Sequence, residues 1–107
     1  AFKNCSGLAE VHLPHATKIG REAFAGCTSL RDISIPKIVE AGAFFGCTAL
    51  HTVNHKLEVV EKGVFAKCTN LRTFDFSTVK EVKERAFSGC SSLTEVHLPD
   101  QQSFALD

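Results

Sequence analysis

Five short stretches of this chain carry apolar residues on one side and polar residues on the other. Each opens on a leucine, followed by two further apolar positions that stand two residues apart. The sets are Leu8, Val11 and Leu13; Leu30, Ile33 and Ile35; Leu50, Val53 and His55; Leu71, Phe74 and Phe76; and Leu93, Val96 and Leu98. Alternation of this kind predicts a strand with one buried face. β-Branched and aromatic residues dominate the buried positions and suit a strand. A strand this short does not stand alone, so each is expected to pair in parallel with its copies in neighbouring units. Only His55 breaks the apolar set.

The rest of the unit repeats as well. Cys5, Cys27, Cys47, Cys68 and Cys90 recur every 22, 20, 21 and 22 residues, always three residues before the leucine. Phe2, Phe24, Phe44, Phe65 and Phe87 stand three residues before each cysteine. A fixed period of this length predicts a stack of small units, each burying its apolar edge against the next. Pro14, Pro36 and Pro99 follow the strand in three units and end its pairing, because proline has no N–H to donate. A second apolar contact comes at Ile19, Val39, Val60 and Val82. The segments between the proline and this contact vary in length (His15 to Lys18 in one unit, Lys37 and Ile38 in the next) and are expected to be outer loops. Ala23-Phe24, Ala43-Phe44, Val64-Phe65 and Ala86-Phe87 read as short helical turns with the ring filling the middle of the unit. Gly26, Gly46 and Gly89 precede the cysteine, where a left-handed residue closes a turn, and Asn4 tolerates that conformation. Lys67 at the same place argues against it in its own unit.

Composition narrows the function classes. The chain has 107 residues, enough for one small domain, and 44% of them are hydrophobic, which excludes a disordered tail. The formal net charge is zero and the charges are interspersed, so nucleic acid is not an expected partner. No apolar run is long enough to span a membrane. No signal peptide is visible, and the absence of methionine suggests a piece of a longer protein. The odd number of cysteines at one repeat position reads as a file of small, reduced, buried residues rather than a disulfide framework. Neighbouring copies would lie near enough to bridge, but their side chains point the same way. No Cys-x-x-Cys motif and no histidine close to a cysteine supports zinc.

The run Ala23-Phe24-Ala25-Gly26-Cys27-Thr28-Ser29-Leu30-Arg31-Asp32-Ile33-Ser34-Ile35-Pro36 resembles the BspA-type (Treponema-type) leucine-rich repeat at every motif position. The resemblance covers residues 1 to about 99. It implies an α/β-type solenoid: a right-handed superhelix with a parallel β-sheet on the concave side and short strands or helical turns on the convex side. It also implies a protein displayed on a cell surface or secreted, and one that binds other macromolecules. The whole of residues 1–107 is read as a single domain of this kind. Residues 100–107 leave the pattern and fit a loop into a further unit, a partial cap or an added tail.

In such a stack the polar residues between buried strand positions line up in files on the concave face. The central file is His12, Ser34, Asn54, Asp75 and His97, and beside it runs Glu10, Asp32, Thr52, Thr73 and Glu95. The third file is Ala9, Arg31, His51, Arg72 and Thr94. The first two contain carboxylates and neither lysine nor arginine, so the expected face is mildly acidic, with Arg31 and Arg72 along one edge. Such a face suits a partner with a basic or hydroxyl-rich surface. Tryptophan and tyrosine, frequent binding anchors, are absent.

His55 stands at an inward position and reads as a neutral, hydrogen-bonded core residue, or as a strand irregularity, since its unit also lacks the proline. That unit is expected to be the most distorted. His51 and His55 are four apart, which on a strand is not a metal-binding pair. Ser34 between His12 and Asn54 is the nearest approach to a catalytic constellation, but an open sheet supplies neither pocket nor oxyanion donors. Gly20, Gly42 and Gly63 are isolated and form no phosphate loop. The expected function is a protein-interaction module with no enzyme activity, cofactor or metal. Two alternatives stay open: a display spacer with no ligand of its own, and an element that associates end to end through exposed repeat units.

Overall fold

Repetition at a nearly constant period lets each side chain pack against its own copy one unit away. The structure, a computed structural model, describes residues 2–93. The phenylalanines carry the repeat through the interior. Phe2, Phe24, Phe44, Phe65 and Phe87 form one column, with ring centroids 5.3, 5.5, 5.7 and 5.6 Å apart and planes within 15° of parallel. Leu30, Leu50 and Leu71 make a second fully buried column, and Cys27, Cys47 and Cys68 a third. One contiguous core holds all three. Burying each such side chain contributes about 1.5–3 kcal/mol, and the stack repeats that contribution unit by unit.

Six short strands edge this core: β1 (Lys18–Ile19), β2 (Asp32–Ser34), β3 (Ile38–Val39), β4 (Thr52–Asn54), β5 (Val59–Val60) and β6 (Glu81–Val82). β2 pairs with β4 in parallel, with Asp32 opposite Thr52, Ile33 opposite Val53 and Ser34 opposite Asn54. Glu10 extends this sheet through a parallel bridge to Asp32. On a second edge β1 pairs with β3 and β5 with β6, again in parallel. Lys18 and Ile38, expected in outer loops, belong instead to β1 and β3; each precedes an inward residue, Ile19 or Val39, and these two pair with each other across the unit boundary.

The Ala-Phe segments are not helical. Ala23, Ala25 and Cys27 donate to carbonyls three residues back in their own unit, whereas Glu22, Phe24 and Gly26 donate to Ala41, Ala43 and Phe45 of the next. Amides thus alternate between closing a turn and bonding the neighbouring unit, a pattern an α-helix does not permit. Two left-handed residues per unit produce it. One lies just before the cysteine: Asn4, Gly26, Gly46, Lys67 and Gly89. Lys67, with φ 63°, adopts it against expectation, since the cross-unit bonds of the turn fix the backbone there. The other lies two residues before the phenylalanine, at Glu22, Gly42, Gly63 and Arg85. A non-glycine residue in this region costs about 1–2 kcal/mol.

The expected strand through Phe74 does not form, and pairing on that edge stops after β4. His55 packs at this junction. Its imidazole lies over the Phe74 ring at 4.3 Å, and Phe74 meets Phe65, Phe76 and Phe87 at steep angles. Phe74 and Phe76 occupy the inward positions that Ile33 and Ile35 hold in the β2 unit, and an Asx turn follows at once, with the Ser77 amide donating to Asp75 Oδ1 at 2.9 Å. The distortion expected for the His55 unit therefore falls at its junction with the next.

Among the described residues five ion pairs run along the stack: Lys3–Glu22, Lys18–Glu40, Glu58–Lys80, Glu61–Lys83 and Lys62–Glu84, at 2.9–3.7 Å. Each joins one unit to the next. Exposed pairs contribute little singly, but together they favour one register over a slipped one.

Candidate functional site

The alternation of β2 and β4 turns Ile33 inward and leaves Asp32, Ser34, Thr52 and Asn54 exposed. Parallel, in-register pairing then sets like positions side by side. Asn54 Nδ2 donates to Ser34 Oγ at 3.5 Å, a long bond that ties two members of the central file. An open hollow of about 410 Å³ lies on this face and brings together Glu10, His12, Asp32, Ser34 and Asn54, with Pro14 at its end. Two carboxylates, a hydroxyl, an amide and one imidazole from adjacent units thus converge at one place on the surface.

The remaining predicted residues divide. Arg31 and Arg72 line a separate hollow of about 580 Å³ with His51, Thr28 and Asn70. His51 Nδ1 lies 3.0 Å from Thr52 Oγ1, which joins the third file to the second. Thr73 is exposed but outside any strand. Asp75 is exposed and engaged in its Asx turn, and the Ser77 hydrogen bonds hold its carboxyl below the usual carboxylate range. Glu95 and His97 lie outside the described residues, as do Pro99 and the 100–107 tail.

His55 is half-buried. Its Nδ1 accepts a hydrogen bond from the Leu57 amide at 2.9 Å, and its buried Nε2 has no partner. Desolvation lowers its pKa, against smaller opposite effects of the Asp75 backbone and carboxylate. Burial thus favours the neutral ring, which packs on Phe74 and accepts the Leu57 amide.

The cysteines are free thiols with a definite structural task. In four of them the Sγ–H donates to the phenylalanine carbonyl of the preceding unit: Cys27 to Phe2, Cys47 to Phe24, Cys68 to Phe44 and Cys90 to Phe65, at 3.0–3.3 Å. The acceptor carbonyl also receives the amide of its own unit's cysteine. Burial pushes the Cys47 thiol up to about 12 and Cys90 to about 11, and raises Cys27 and Cys68 as well. A thiol held protonated in this way is a poor nucleophile and a poor metal ligand. Among the described residues no cluster of His, Cys, Asp or Glu is placed to hold a metal ion, and no helix is long and apolar enough to cross a membrane.

Phe45 is a surface feature that the strand pattern does not reveal. It is 43% exposed, on the turn layer away from the strand files. The signal lay in the residue after the column phenylalanine, which is Lys3, Ala25, Phe45, Ala66 and Ser88 in successive units.

Short parallel strands, in-register units and columns of Phe, Cys and Leu define a leucine-rich repeat protein. The family model of the BspA type leucine rich repeat region matches residues 1–105 in six copies, and the chain belongs to that family. Two solved structures share the fold. A leucine rich cell surface protein from Faecalibacterium prausnitzii is 26% identical over 76% of this chain, with a TM-score of 0.71. A leucine-rich repeat protein from Bacteroides ovatus is 25% identical over 87% of this chain, with a TM-score of 0.64. The chain spans 23% of the first and 32% of the second. No curated protein matches the sequence. Family and neighbours together point to a protein-interaction or surface module, of a kind generally without enzymatic activity.

Proposed function

We propose that this chain is a binding module of a cell-surface or secreted protein and that it holds a macromolecular partner through the exposed face of β2 and β4. In this reading the units continue as a curved, right-handed solenoid with that face on the concave side. The observation that carries it is the convergence of Glu10, His12, Asp32, Ser34 and Asn54 on one hollow. None of these side chains is needed to fill the core, and among the described residues the one hydrogen bond between them is the long Ser34–Asn54 contact. A partner with basic or hydroxyl-rich chemistry suits two carboxylates beside an amide and a hydroxyl. Arg31 and Arg72 extend the contact along the edge, with Thr52, Thr73 and Asp75 between. The surface location rests on the Faecalibacterium neighbour, a cell surface protein. No catalytic role is assigned to Ser34, whose neighbours His12 and Asn54 share an open hollow without an oxyanion site.

The test compares the wild-type chain with a Glu10→Lys and Asp32→Lys double variant for capture of surface extracts, with folding checked by thermal unfolding. Loss of captured partner in the folded variant supports the reading. Equal capture removes it and leaves a display role.

A further inference from the structure

The turn layer carries a second, different surface. Phe45 borders a hollow of about 390 Å³, a size at the low end for ligand pockets. Its lining includes the small residues Gly42, Gly63 and Ala66, together with Arg21, Lys67 and Arg85. Lys62 and Glu22 also contribute, but Lys62 is paired with Glu84 and Glu22 with Lys3. Among the described residues Arg21, Lys67 and Arg85 form no ion pair. The hollow therefore has an aromatic wall, small residues in its lining and three cationic side chains that form no ion pair among the described residues.

The repeat itself shows that this arrangement is not required by the fold. Sister units place Lys3, Ala25, Ala66 or Ser88 where Phe45 stands, none of them a large apolar residue. Four non-glycine residues adopt left-handed backbone among the described residues: Asn4, Glu22, Lys67 and Arg85. Three of the four line this hollow. Sister units place Gly26, Gly46 and Gly89 at the Lys67 position, and Gly42 and Gly63 at the Arg85 position. Two cations thus occupy strained positions that glycine fills in other units without strain, and both line the same hollow as the exposed Phe45 ring.

We propose that the hollow around Phe45 binds an acidic peptide segment of a partner protein, with an apolar side chain of that segment packed on the Phe45 ring. Carboxylates of the segment pair with Arg21, Lys67 and Arg85. Single-stranded nucleic acid would also find an aromatic face and cations here. The chain's zero net charge and the neutralised Lys62 favour the peptide, because nucleic acid binding draws on an extended excess of positive charge. This surface lies apart from the strand-face site and stands or falls independently of it.

The test uses the 107-residue chain and a fluorescein-labelled peptide of glutamates flanking one phenylalanine, read by anisotropy at low and high salt. Two variants copy sister units: Phe45→Ala, and Lys67→Gly with Arg85→Gly. The wild type is expected to bind, more weakly at high salt. Phe45→Ala and the double glycine variant are each expected to weaken binding roughly tenfold or more. The thermal midpoint of the double glycine variant is expected to stay level or rise, which separates lost binding from lost folding. A peptide with alanine in place of its phenylalanine binds less tightly. No binding at millimolar peptide, full affinity in both variants, or equal binding of a lysine-flanked peptide overturns the proposal. Tighter binding of a single-stranded oligonucleotide overturns it in favour of the other class.

Discussion

The Cys47 thiol donates to the Phe24 carbonyl oxygen across the unit boundary, at 3.1 Å and buried from water. That oxygen also accepts the Cys27 amide at 3.2 Å, so one carbonyl closes the turn of its own unit and receives a donor from the next. The repeated cysteine is thereby explained by more than its size. It is small enough for the column and carries a weak donor at the position where a carbonyl faces it. Cys47→Ala leaves a void and removes one of the two donors to that oxygen. The expected cost is about 1–3 kcal/mol by denaturant unfolding. Cys5→Ala should cost less, since Cys5 is only partly buried.

The same burial predicts chemical inertness. With its thiol pushed up to about 12, Cys47 has about one part in ten thousand as thiolate at a pH of about 8. In the folded chain iodoacetamide is expected to leave Cys47 and Cys68 unmodified while the partly buried Cys5 reacts. Mass mapping after brief labelling reads the order, and early modification of Cys47 contradicts it.

Phe44→Ala removes a fully buried ring from the middle of the column and should cost roughly 3–5 kcal/mol. Phe2→Ala, at a ring already 44% exposed, should cost clearly less. Denaturant midpoints of the two variants give the comparison, and equal losses are inconsistent with a column that one end leaves open.

Stability should also respond to acid through His55. Unfolded, its imidazole takes up a proton near its ordinary value of 6.5; folded, desolvation delays that to lower pH. Between those two values the unfolded chain binds the extra proton. Stability contributed by the neutral ring is therefore complete above about 6.5 and declines as pH falls toward the folded value. His55→Leu, which copies Leu13, should flatten that part of the profile. Asp75 acts in a separate, more acidic window, because its lowered carboxyl pKa contributes stability above its ordinary 3.8 and loses it on further acidification. An unchanged slope between neutral pH and about pH 5 in His55→Leu contradicts the assignment.

What repeats with side-chain identity was legible in the sequence. The Phe, Cys and Leu columns, the Ile33 and Val53 strand positions and the polar files beside them follow from period alone, and the structure has Asp32 beside Thr52 and Ser34 beside Asn54. What repeats only in backbone was not. Glu22, Gly42, Gly63 and Arg85 share a left-handed conformation and no chemistry, so the second turn position left no mark to read. Lys67 misled for the same reason: the bonds fixing its φ come from the neighbouring unit. The stop in strand pairing after β4 was only half visible, since His55 was an evident exception but its stacking on Phe74 depends on a residue 19 positions away. Of the candidate site, one hollow gathers Glu10, His12, Asp32, Ser34 and Asn54, while Arg31 and Arg72 line another and Asp75 is engaged in a turn.

The in-register column is most directly tested by ring-to-ring nuclear Overhauser contacts in a chain with labelled phenylalanines. The account predicts contacts from Phe24 to Phe44, Phe44 to Phe65 and Phe65 to Phe87, and none from Phe24 to Phe65. Missing neighbour contacts, or contacts that skip a unit, would contradict it.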